Sequence, residues 1–129
     1  MATHAVTSQD FNQVVESNDL VFVDFWATWC GPCRAFGPTF EKASEANPDV
    51  YFAKVDIDQN PDLAAAAKVQ AVPTLMVVMK QQIIFQQAGA LRASDLAALI
   101  SQAQTLDMDA AAFDGNTASS GDAQVTTPS

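Results

Sequence analysis

Cys30 and Cys33, separated only by Gly31-Pro32, are the residues of this 129-residue chain whose type and spacing most directly permit chemistry. They follow an apolar run that ends at Trp26 and precede a stretch with helical periodicity. A thiol at a helix N-terminus has its thiolate stabilised by the free N–H groups and partial positive charge found there. Cys30 takes that position and is the better placed to be accessible. Cys33 lies about one turn inside, on the same side and within reach of the first sulfur. Such a pair can attack a disulfide through Cys30, hold a mixed disulfide, and release the product when Cys33 attacks it. Two blander readings stay open. A structural zinc site needs four ligands, and the chain adds only His4 to the two sulfurs. Two inert buried thiols would need no partner at all.

The rest of the chain narrows the setting. Six basic and fifteen acidic side chains leave a formal charge of −9, and the pI is near 4.1. That sign repels phosphate backbones and anionic lipid, so neither nucleic acid nor membrane is an expected partner. No apolar run is longer than that of Leu75 to Met79, far short of the roughly 20 residues that span a bilayer. No export signal is visible in the first twenty residues, which makes a reducing, cytoplasmic setting the expectation. There, a close cysteine pair is more often catalytic or metal-binding than structural.

Positioning these thiols falls to alternating elements. Phe11, Val14 and Val15 mark an opening helix, with Thr7 or Ser8 as its cap. Leu20 to Trp26 is apolar apart from Asp24, as suits a strand buried on both faces. A helix follows from Pro32 to about Asn47, with Phe36, Phe40, Ala43 and Ala46 on one side and Pro38 inside it. Val50 to Ile57 reads as a second strand, and Asn60-Pro61 as the start of a short helix. Thr74–Met79 and Ile83–Phe85 read as a hairpin across Lys80-Gln81-Gln82. Leu96, Leu99, Ile100, Ala103 and Leu106 give a last helix, with Ser94 as a cap. The expected class is α/β, a sheet sandwiched by helices with a closing antiparallel hairpin. Residues 1–106 form the expected domain. Residues 107–129 hold four aspartates and no Lys or Arg, an acidic tail with helix to about Phe113 and disorder beyond it.

Val23-Asp24-Phe25-Trp26-Ala27-Thr28-Trp29-Cys30-Gly31-Pro32-Cys33-Arg34 resembles the active-site segment of the thioredoxin family. The likeness continues through Pro38, Lys54-Val55-Asp56, Val72-Pro73-Thr74 and Gly89-Ala90-Leu91, in the family's order and spacing. It implies the thioredoxin fold, a central mixed sheet of about four to five strands flanked by about four helices. It also implies a general protein disulfide reductase, monomeric and without a bound cofactor or metal, serving oxidised client proteins. An NADPH-dependent thioredoxin reductase would recharge it. Cys30 would be the nucleophile, Cys33 the resolving thiol, Asp24 the buried proton acceptor and Lys54 its partner. An acid within an apolar strand is costly unless partnered, which supports a role for Asp24 independently, although backbone donors would satisfy it equally well. A lysine at a strand end, likewise, is often merely solvated. Pro73 would be cis, and Trp29, Gly31, Pro32, Val72, Pro73, Ala88 and Gly89 would form the docking surface. Trp26 reads as core packing and Arg34 as a solvated position.

The chain departs from the family at Gln81-Gln82, where an Asn-Gly-type turn is usual, at Phe36-Gly37, and at Ala71. Two other readings compete with the reductase. One is a binding module whose dithiol is dispensable, with the tail as its recruiting element. The other is an oxidant or isomerase, which would require an oxidising compartment.

Overall fold

The computed structural model describes residues 2–116. Its elements run β1 (Thr3–Ala5), α1 (Phe11–Ser17), β2 (Leu20–Trp26), α2 (Gly31–Ala46), β3 (Tyr51–Asp56), α3 (Pro61–Ala66), β4 (Thr74–Met79), β5 (Gln82–Ala88) and α4 (Ala93–Asn116). The five strands form one mixed sheet ordered β1-β3-β2-β4-β5. β1 and β2 lie parallel to β3, whereas β4 is antiparallel to both β2 and β5. The apolar run of β2 therefore sits at the centre, covered on both faces.

Alternation divides the core. Leu20 and Phe22 of β2, Phe52 of β3, and Leu75 and Val77 of β4 meet Phe36 and Phe40 of α2 and Leu96 and Ile100 of α4. On the opposite face Val21, Val23, Phe25, Ala53, Val55 and Met76 pack against Phe11, Val14 and Val15 of α1 and Leu63 of α3. Each of the larger side chains, Val upward in size, contributes about 1.5–3 kcal/mol by its burial. Asp24 shares the face of Phe22, so the sheet holds its carboxylate in the layer under α2. In register it pairs with Lys54 on one side and Leu75 on the other.

Several expectations need correction. An N-terminal strand, β1, precedes α1; its three residues are too few to show a period. α1 begins at Phe11 after a turn in which the Thr7 carbonyl accepts from the Asp10 and Phe11 amides, so Asp10 takes the cap position. Asn60 stands at the cap of α3, but its side chain accepts from the Ser8 amide and donates to the Asp56 carbonyl, tying two loops together. On α2 the inward position is Ser44, whose hydroxyl donates to the Glu41 carbonyl, and Ala46 is exposed. Leu106 of α4 is exposed as well, and Ser94 lies inside that helix, with Arg92 before it supplying the carbonyl for the Leu96 amide.

The hairpin is tighter than expected. Met79 pairs with Gln82, leaving Lys80 and Gln81 as a two-residue turn with φ of 49° and 69°. Both residues thus take the left-handed conformation that Asn-Gly adopts at lower cost. β5 reaches back to Ala88 and carries one extra residue, Ile84, between the pairs Val77–Phe85 and Val78–Ile83. α4 continues to Asn116; the part of the expected tail at residues 117–129 lies outside the described residues. Among the described residues, no helix is long and apolar enough to cross a membrane.

Candidate active site

Cys30 is the cap residue of α2, with extended φ and ψ of −92° and 114°. Its Sγ accepts the Cys33 amide N–H at 3.1 Å, one of the unsatisfied donors that open a helix, and Pro32 has no N–H to leave stranded there. The two sulfurs are joined in a disulfide, with the Cα atoms 5.2 Å apart. Exposure does not separate them: Cys30 is 4% and Cys33 5% exposed. They differ in what they face. Cys30 Sγ lies 3.5 Å from the Val72 carbonyl, while Cys33 lines a cavity of about 510 Å³ together with Trp26, Lys54 and Glu41.

The expected docking residues gather around Cys30. The Val72–Pro73 peptide bond is cis, and the Pro73 carbonyl accepts the Gly89 amide at 2.8 Å. Gly89 has a φ of +107°, open to glycine and strained for other residues. Thr74 pairs with Ala88, so one strand pair brings segments 72–73 and 88–89 together. Gly31, Pro32, Ala88 and Gly89 are exposed, Val72 is half-buried and Pro73 is buried. Trp29 is 64% exposed, its ring fixed by a hydrogen bond from Nε1 to Asp58 Oδ2 at 2.9 Å. Asp58 was not legible as a site neighbour. The signal was the Asp56-x-Asp58 spacing, which forms a turn in which Asp56 Oδ1 accepts the Asp58 amide.

Asp24 is 1% exposed and neither carboxylate oxygen has a hydrogen-bond partner. Burial pushes its pKa up to about 7, and the Lys54 ammonium pulls the other way. The reading in which backbone donors satisfy it does not hold. Lys54 is half-buried with Nζ 5.1 Å from the centre of the Trp26 ring, a cation–π contact. Trp26 is thus a half-buried wall of the site rather than full core. Arg34, read as solvated, is exposed, and its Nη2 donates to the Thr28 carbonyl at 3.0 Å. The arrangement unites a helix-capping sulfur, a second sulfur facing a cavity, and a buried acid poised to exchange a proton near neutrality.

A family model described as Thioredoxin matches residues 2–102. A Streptomyces coelicolor protein assigned to the thioredoxins is 50% identical over 108 residues, covering 84% of this chain and 81% of that protein. The thioredoxin of Mycoplasma pneumoniae is 37% identical over 102 residues, 79% of this chain and 100% of its own. Among solved structures, the thioredoxin of Fasciola hepatica is similar with a TM-score of 0.72 at 35% identity, covering 78% and 97% of the two chains. Oxidised mitochondrial thioredoxin 3 of Saccharomyces cerevisiae gives a TM-score of 0.71 at 36% identity, covering 78% and 93%.

Proposed function

The chain belongs to the thioredoxin family and is a thiol–disulfide oxidoreductase, and from that premise we propose that it reduces disulfides of client proteins with Cys30 as the nucleophile. The observation that carries this reading is the Cys30–Cys33 disulfide capping α2 beside the Val72 carbonyl. In the reduced protein, the Cys30 thiolate attacks one client sulfur, forming a mixed disulfide and releasing the other as a thiolate. Cys33, deprotonated by Asp24, then attacks Cys30 Sγ, which restores the intramolecular disulfide and frees the second client thiol. Two electrons leave the dithiol and two client cysteines gain them.

Trp29, Gly31, Pro32, Val72, Pro73, Ala88 and Gly89 receive the client segment, and Lys54 steadies the ionised form of Asp24. A thioredoxin reductase drawing on NADPH returns the two electrons, in the cytoplasm. The domain that does this is residues 1–106, with 107–129 an acidic tail whose first residues prolong α4. The test is turnover of a protein disulfide by single variants. Cys30→Ser abolishes it, and Cys33→Ser accumulates a mixed disulfide visible on a non-reducing gel. Normal multiple turnover by either variant would overturn the assignment.

A further inference from the structure

Glu41 has no place in the scheme above, yet it stands on the same wall as Lys54. Both line the cavity that Cys33 lines, and both line a second cavity of about 550 Å³ that extends to Thr3 and Asp56. The Glu41 carboxylate is held at both oxygens by the N-terminal segment: the Thr3 hydroxyl donates to Oε1 at 2.6 Å and the Ala2 amide to Oε2 at 2.9 Å. Lys54, for its part, is embedded between strands. It pairs with Ala5 of β1 on one side and Asp24 of β2 on the other, and its carbonyl accepts the Val6 amide. β1 therefore fixes Glu41 and Lys54 relative to each other.

We propose that Glu41 is a positioning residue of the redox site: anchored by the N-terminal strand, its carboxylate shares the Lys54 ammonium with Asp24 and so decides how much of that charge reaches the buried acid. The groups around Asp24 leave few rivals for this role. β3 presents Lys54 and, two residues on, Asp56; β4 presents Leu75. α2, packed on the same face of the sheet, carries Cys33, Arg34 and Glu41 on the wall of the cavity that Lys54 also lines. Among the described residues, α4 brings apolar Leu96, Leu99, Ile100 and Ala103 to this face. Hydrogen bonds from Thr3 and Ala2, aided by Lys54, hold the Glu41 pKa below its ordinary value, so it is charged wherever Asp24 titrates. Attraction to this fixed negative charge holds the Lys54 ammonium toward Glu41, and with that charge removed the flexible ammonium is free to move toward Asp24, which strengthens its pull there.

The proposal rests on Asp24 serving Cys33, but its test does not need that. The carboxyl carbon of Asp24 is followed by NMR as a function of pH in the oxidised full-length chain, where neither cysteine titrates. Glu41→Gln is expected to lower the Asp24 midpoint by roughly half a pH unit at low salt, the size of one partly screened charge. Glu41→Asp stays near the wild type. Thr3→Val, which loosens the same anchor but keeps the charge, moves the midpoint less than half as far. In a Lys54→Met background the effect of Glu41→Gln shrinks to less than half. An unmoved midpoint in Glu41→Gln, an undiminished effect without Lys54, or an equal shift in Thr3→Val would each overturn the proposal. The pH dependence of mixed-disulfide resolution is measured on the same variants. Should it ignore the Asp24 midpoint while the NMR shifts occur, the proton-acceptor role of Asp24 fails and the hold of Glu41 on Lys54 stands.

Discussion

Asp24 gains no hydrogen bond in exchange for its burial, so the folded chain takes up a proton there more readily than the unfolded chain does. Its folded pKa of about 7 lies above the ordinary value of 3.8, which fixes the direction of the pH effect. Between those two values the folded state binds more protons than the unfolded state. Stability attributable to this group is complete below pH 4 and is lost as pH rises through 7, by up to roughly 4 kcal/mol. Urea denaturation of Asp24→Asn is expected to show a stability gain over the wild type at pH 8 that is absent at pH 4; equal gains at both pH values would contradict this account. Trp29 invites a different experiment. Its exposed ring, fixed by Asp58, is the kind of aromatic anchor that carries binding energy at interfaces. Trp29→Ala is expected to lower kcat/KM for a protein disulfide about tenfold while changing the rate with a small aliphatic disulfide far less. Steady-state assays on the two substrates check it.

Two helices show where the chain forgoes stability. Gly37 lies inside α2, where a Cβ would meet only Lys54 Nζ at 3.9 Å, an ordinary contact. Nothing steric requires glycine, so Gly37→Ala should raise stability by about 1 kcal/mol in chemical denaturation. α3 ends in a Schellman motif, with the Val69 amide on the Ala64 carbonyl and the Lys68 amide on that of Ala65. Lys68 takes the left-handed position, φ 59°, usually given to glycine. Lys68→Gly should likewise gain up to about 1 kcal/mol. These elements also mark what the sequence made legible. β2 and β4 were readable residue for residue, because a short run that is apolar apart from Asp24 in one strand and Thr74 in the other has few homes but a buried strand. The cysteine pair was readable from spacing and from the helix start. β1 was not, since three residues carry no period, and Glu41 went unseen because its partners Ala2 and Thr3 are 39 and 38 residues away. Asn60 was placed correctly and its bonding was not, because a cap-type side chain bonds wherever the fold brings a donor.

A formal charge of −9 over the chain acts on encounters rather than on the reacting sulfurs. Raising ionic strength from about 20 to about 200 mM is expected to slow reduction of a basic client and speed that of an acidic one, as stopped-flow assays on two such clients would record. Salt effects of the same sign for both would place the selectivity elsewhere. At the far side of the sheet, β5 is an edge strand with Ile83 and Ile84 exposed, and its ladder is interrupted by the extra residue Ile84. A regular apolar edge is a template on which a second copy can add its own strand, and a bulge spoils that template by twisting the free N–H and C=O groups out of line. At the other edge, β1 offers only three residues to pair with. The same backbone irregularity that looks like a defect in the hairpin therefore guards the protein against fibre growth, and deleting Ile84 would turn a guarded edge into an aggregating one.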